Sequence, residues 1–235
     1  MTSWAEQNNK RPVRRWLVII VAGLATGILL SLSYWQYSKI APRDAEIALI
    51  RERMTAPPSL LDAAPDEGWL YRRAMVTGAF DKGHMRRVYR AGPDGRPGYH
   101  ILMPFRRQDA PGIWVDLGWL SSQADDPSAA WVEPGPPGAM TGRIHPRQRS
   151  PRLIAPAAPD RAANLYYRIQ PEVLGQDVPF TLLGDVYLIA DSAPDGLTAT
   201  DPPVKLEHNH RSYAVQWLAM AVGLVAITAL FLRRG

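Results

Sequence analysis

WLVIIVAGLATGILLSLSYWQYS, Trp16 to Ser38, is a run of 23 residues without a charged side chain. Near the other end, SYAVQWLAMAVGLVAITALFL, Ser212 to Leu232, is uncharged over 21 residues. A helix rises 1.5 Å per residue and the hydrocarbon core is roughly 30 Å thick, so about 20 apolar residues suffice to cross it. Both runs are predicted to be transmembrane helices. The chain therefore reads as a membrane protein with residues 39–211 held between two spans.

Charge sets the expected orientation. Lys10, Arg11, Arg14 and Arg15 against Glu6 leave +3 before the first run, and Arg233 with Arg234 leave +2 after the second. Residues 36–211 hold 21 basic and 21 acidic side chains, so the net +5 resides on the tails. Short basic tails stay cytoplasmic, whereas a long loop crosses largely regardless of its charge. The expected layout is a cytoplasmic tail over 1–15, a span over 16–38, an extracytoplasmic domain over 39–211, a span over 212–232 and a cytoplasmic tail over 233–235. A basic chain ordinarily suggests nucleic acid. Basicity that belongs to the tails removes that partner.

The first run has an alternative reading as a cleaved signal peptide, with Ser31-Leu32-Ser33 as a small-x-small cleavage site. Its length exceeds the usual 7 to 15 residues of a signal core, and Tyr34, Trp35 and Tyr37 suit a helix finishing at headgroup level. A retained span is the reading adopted. The tail's Glu6 and its lack of Ser enrichment argue against a mitochondrial transit peptide. Cysteine is absent. Disulfides, thiol redox chemistry, thioether attachment of haem and thiolate copper ligands are thereby excluded. Stability must come from an apolar core, which a domain of this length can bury unaided.

Pro42-Arg43-Asp44-Ala45-Glu46 places Pro and acids where a helix start wants them, and Ile47, Ile50 and Met54 recur at helical spacing. A short amphipathic helix is predicted, ending before Pro57-Pro58. From Leu70 the period changes. Tyr71–Phe80, Arg87–Arg90, Tyr99–Phe105, Ile113–Leu120, Met140–Ile144 and Phe180–Ala190 are short runs rich in β-branched and aromatic residues, separated by Gly, Pro and Asp clusters. The fold class is a mainly antiparallel β (α+β) domain, with the sheet closed or half closed. Pro127–Gly138 and Pro146–Pro159 are expected to be extended loops. A brief helix is expected within Asn164–Leu174, limited by Pro171.

No Gly-x-Ser-x-Gly, His-Glu-x-x-His, phosphate loop or dinucleotide fingerprint occurs. Acid pairs such as Asp66-Glu67 and Asp125-Asp126 sit in polar turns and read as solvated surface. No enzyme activity is expected. His84, His100 and His145 are isolated within turns or strands. His208 and His210, in Glu207-His208-Asn209-His210-Arg211, instead precede the second span directly and share the membrane edge with Tyr213 and Trp217. Residues two apart share a face only in an extended segment, so one shared metal requires that conformation. Interfacial anchoring and metal ligation both remain open for this pair. A neutral imidazole at the hydrocarbon edge suits an amphipathic haem. Gly23-xxx-Gly27 and Ala219-xxx-Gly223 are small-residue faces for close helix approach, whether with the other span or with another protein.

Asn209-His210-Arg211-Ser212-Tyr213-Ala214-Val215-Gln216-Trp217 resembles the Asn-His-x-x-Tyr-Ala-x-x-Trp start of the last helix in the Surfeit locus protein 1 family. Tyr34-Trp35-Gln36-Tyr37-Ser38-Lys39 is similar to that family's Gly-x-Trp-Gln-x-x-(basic) exit from the first helix. Weaker matches lie at Val76–Asp81, Gly98–Pro104, Asp116–Trp119 and Asn164–Arg168, so the resemblance runs in order along nearly the whole chain. Ser33 replaces the family's Gly, Leu117 an Arg, Tyr166 a Trp and Ile169 an Asp. Without that Arg and that Asp no polar contact is expected between those two side chains, and the two helix-boundary motifs are unaffected.

The resemblance implies a non-enzymatic assembly factor of haem-copper cytochrome c oxidase in the bacterial inner membrane, both termini cytoplasmic and the central domain periplasmic. It implies haem a as cofactor, held stably or transiently and delivered to oxidase subunit I, with haem a synthase and the lipid bilayer as further partners. His210 is the matching haem and metal contact. His208, Trp35, Gln36, Tyr213 and Trp217 form its expected surround. A structural adaptor joining the oxidase subunit to haem a synthase, without haem, is the alternative. A membrane-anchored hydrolase lacks a visible nucleophile and base, and the absence of cysteine argues against copper delivery.

Overall fold

The computed structural model describes residues 4–92, 95–108, 110–124, 138–149, 157–200 and 206–234, with side chains described from Arg15 onward. The chain forms two compact units, residues 1–49 with 205–235, and residues 50–204.

In the first unit α1 runs Trp4–Ser38 and α4 runs His210–Arg234. Both are long and apolar enough to cross a membrane, with mean hydropathy 2.2 in their best windows. They pack along each other. The small residues buried on α4 are Ala214 and Ala221. A Cβ added at Gly23, Gly27 or Gly223 would meet no atom within 4 Å. The glycines of the predicted small-residue faces therefore do not bring α1 to α4. After a one-residue turn at Lys39 the chain continues as α2, Ile40–Thr55, the predicted short helix. Ile47 is its buried position.

The second unit is a mixed sheet. Its strands are β1 (Ser59–Leu60), β2 (Arg73–Phe80), β3 (Arg86–Tyr89), β4 (Gly98–Arg107), β5 (Ile113–Ser121), β6 (Gly138–Pro146), β7 (Leu165–Tyr166) and β8 (Val186–Ala190). Their order is β1-β2-β6-β8-β5-β4-β3-β7, and β2 also pairs with β4. That extra pairing, Gly78–Phe80 against Phe105–Arg107, closes β2-β6-β8-β5-β4 into a ring. The expected closure and the mainly antiparallel pairing are both present. The parallel pairs are β1–β2, β3–β7 and β5–β8.

Alternation along the strands assigns the core, because successive side chains point to opposite faces. Ile113, Val115 and Leu117 of β5, with Val186, Leu188 and Ala190 of β8, join Val76, Phe105 and Ile144 in one apolar cluster. Trp114 of β5, with Tyr187 and Ile189 of β8, joins Val88, Leu102, Tyr166, Ile169 and Leu174 in a second. Both faces of β5 and β8 are thus covered, which explains runs too apolar for simple alternation. Leu117 and Ile169, two positions at which the resemblance drawn from sequence breaks, are buried apolar residues of the two clusters respectively.

Two local expectations change. Phe180–Ala190 narrows to Val186–Ala190, with Leu182 contributing an isolated bridge to Gly112. Pro171 does not limit a helix over Asn164–Leu174: it begins one, α3 (Pro171–Leu174), while Leu165 and Tyr166 form β7. The first helical position tolerates Pro because its missing N–H would have no intrahelical partner there. Most of Pro127–Gly138 and half of Pro146–Pro159 lie outside the described residues.

Candidate functional site: a polar ladder at the helix ends

The first unit brings three segments together: the last turn of α1, the start of α2 and the start of α4. Asn209 positions the last of these, since its carbonyl accepts from Tyr213 N at 3.0 Å and so opens α4. Asn is a favoured residue at such a cap. At the end of α1, Lys39 N donates to Gln36 O at 3.2 Å.

Cross-helix hydrogen bonds follow the antiparallel run of α1 and α4. Ser33 Oγ donates to Ala214 O at 2.9 Å. About one turn further along each helix, His210 Nδ1 lies 2.7 Å from Gln36 Oε1. Beyond the α1–α4 pair, His208 Nε2 lies 2.9 Å from Asp44 Oδ1, and Arg211 Nη2 donates to Asp44 Oδ2 at 2.7 Å. The hydrogen bonds from His208 and then Arg211 hold the Asp44 carboxyl below its ordinary range.

These contacts fix the protons on both rings. An amide oxygen can only accept, so His210 Nδ1 carries the hydrogen and the neutral ring has its lone pair on Nε2. A carboxylate likewise only accepts, so His208 donates from Nε2. Its Nδ1 is enclosed without a hydrogen-bond partner. The two rings lie 5.1 Å apart between centroids and are inclined at 38°. His208 precedes the helix and His210 is its first residue, so the backbone conformation that would have separated the rings is not adopted.

Of the residues expected at the site, Gln36, His208 and His210 are brought together. Trp35 and Tyr213 are 52% and 47% exposed, and Trp217 is half-buried. None of these three aromatics lies over either imidazole among the ring contacts of the described residues. Sequence reasoning missed Ser33, Asp44 and Arg211. By sequence Asp44 is an acid at a helix start, yet α2 begins at Ile40 and its first turn has no acidic residue. Among the described residues no group of three or more His, Cys, Asp or Glu is placed to hold a metal ion.

The histidines of the second unit have structural partners. His84 Nδ1 is 2.8 Å from Asp81 Oδ2, and buried His100 Nδ1 is 2.6 Å from buried Asp116 Oδ2. His145 packs against Tyr71 and Tyr187.

A closed β ring carried on a chain with an apolar helix towards either end, those helices joined through the His210–Gln36 and Ser33–Ala214 hydrogen bonds, defines a two-helix, barrel-bearing class of protein compatible with a membrane. The sequence model of the SURF1 family matches residues 23–222, which include both helix-boundary motifs and the strands between them. The chain belongs to the SURF1 family. It is 25% identical to a SURF1-like protein of Rickettsia conorii over 219 residues, covering 88% of each chain. It is 24% identical to a SURF1-like protein of Rickettsia felis, over 88% of this chain and 92% of the relative. Cytochrome oxidase assembly protein SHY1 of Saccharomyces cerevisiae is 28% identical over 103 residues, 42% of this chain and 26% of that one.

Proposed function

We propose that this protein is a membrane-held, non-enzymatic factor in the assembly of cytochrome c oxidase, holding haem a as cargo for subunit I and drawing it from haem a synthase. Family membership and the likeness to an oxidase assembly protein support the assembly role. The observation that carries the cargo is the His210–Gln36 hydrogen bond. It joins the two family motifs and leaves His210 Nε2 with the lone pair that an iron centre takes from an axial imidazole. A porphyrin supplies its own four nitrogens, which suits a site offering few protein donors better than a bare ion does. Apolar helix flanks match the macrocycle, and Arg211 beside the pair is a suitable partner for a carboxylate of the cargo.

In this reading α1 and α4 span the bacterial inner membrane with both tails cytoplasmic, and the β ring lies in the periplasm. His210→Ala tests the cargo. In full-length protein purified from cells that also make haem a, the substitution is expected to remove most of the bound pigment and change its absorption spectrum. An unaltered spectrum and haem content would remove His210 as the ligand, and a colourless wild-type protein would favour the adaptor role.

A further inference from the structure

The two imidazoles at the helix ends have partners of different charge. His208 donates to a carboxylate, Asp44, while His210 donates to a neutral amide, Gln36. This difference bears on the strength of each ring as a ligand. A carboxylate that accepts the hydrogen on one ring nitrogen raises the basicity of the other nitrogen, and an uncharged amide does so far less. The carboxylate–histidine arrangement that makes a strong ligand is present, but on His208, whose remaining nitrogen is enclosed. Both Asp44 oxygens are engaged, one by His208 and one by Arg211. That carboxylate is held away from His210.

We infer that Gln36 is a positioning residue that keeps His210 in one tautomer while leaving it a weak donor, so that an iron porphyrin coordinated through Nε2 is readily released. Asp44, the nearby group that would strengthen the ligand, is committed to His208 and Arg211. The inference rests on the reading of His210 as the axial ligand and adds what regulates that bond. Affinity differences between related complexes lie mostly in the dissociation rate, so a neutral partner acts where a carrier needs it. Loss of the amide would free the ring to rotate and exchange tautomers. A carboxylate in its place would hold the same tautomer and strengthen the bond to iron.

The test uses the full-length protein in detergent micelles, loaded with ferric iron protoporphyrin IX as the probe. Its transfer to excess apomyoglobin gives the release rate, and a redox titration gives the midpoint potential. Changing the outer partner of a ligating histidine typically alters metal affinity by 10- to 100-fold, so Gln36→Glu is expected to slow release about tenfold. Tenfold tighter binding of the ferric over the ferrous form lowers a one-electron potential by about 59 mV. Gln36→Met, of similar size without the acceptor, is expected to speed release about tenfold. Opposite signs at one position, with the potential moved by the carboxylate, are not what loss of folding produces. Release from Gln36→Glu that equals or exceeds the wild-type rate, or an unmoved potential, overturns the inference while the ligand stands. No porphyrin uptake by the wild type, or an identical spectrum in His210→Ala, overturns the ligand reading and the inference with it.

Discussion

Ser33 shows what a single polar side chain on the first apolar helix does. Its hydroxyl donates to Ala214 O and adds a bond between α1 and α4. Such bonds average about 0.6 kcal/mol in a bilayer setting, so Ser33 makes a modest addition to the contact. Asp191 acts at the same scale in the β unit. Arg73 at the start of β2 donates to it at 2.6 Å, across the width of β6. Burial acts to raise the Asp191 carboxyl, but the hydrogen bonds from Arg73 and Thr141 outweigh it and the net shift is downward. Arg73 is more than a third exposed, so solvent screening keeps the contribution of the pair small. Asp191→Asn is expected to lower thermal stability slightly at neutral pH. A depressed carboxylate contributes fully above its unfolded value, near pH 4, and loses its contribution as pH falls through the lower folded value. The gap between wild type and Asp191→Asn should therefore close on acidification. A gap that widened below pH 4 would assign the effect to another group.

At the scale of elements, closure of the ring depends on one backbone crossing. Gly78 has φ +155°, and a Cβ there would sit 2.0 Å from Arg106 O, where β2 leaves β6 and meets β4. A strained backbone costs about 1–3 kcal/mol and forced overpacking a similar amount, so Gly78→Ala is expected to destabilise the unit by about 3 kcal/mol. Chemical denaturation measures this, and a loss below 1 kcal/mol would mean that closure tolerates a side chain there. Val76-Thr77-Gly78 was legible as strand, but the need for Gly was not, because it arises from Arg106 on another strand. β2 to β6 announced themselves through β-branched and aromatic runs. β1 and β7, two residues each, carry no periodic signal, and the parallel β5–β8 pairing joins segments more than 70 residues apart. The ladder divides in the same way. Gln36 and His210 stand in motifs that resemblance exposes, whereas Asp44 meets His208 across 164 residues and only folding reveals the pair.

At the scale of the molecule, the tails carry the chain's whole charge excess. With both tails on the cytoplasmic side, a fluorescent protein fused after Gly235 is expected to mature, and alkaline phosphatase inserted within residues 125–130 is expected to be active. The reverse pattern would place the β ring in the cytoplasm and remove the orientation on which periplasmic assembly of the oxidase is argued. The strand order has a consequence for synthesis. β8 occupies the place between β5 and β6, although it is made after both. Until Val186–Ala190 has been translated, those two strands have no neighbour on their facing sides. Exposed strand edges are templates for wrong pairing, and distant pairings form slowly. The nascent chain thus stays open to misassociation until shortly before α4 is translated, and a stop codon after β6 but upstream of residue 186 would release a product with two unprotected edges rather than a smaller stable fold.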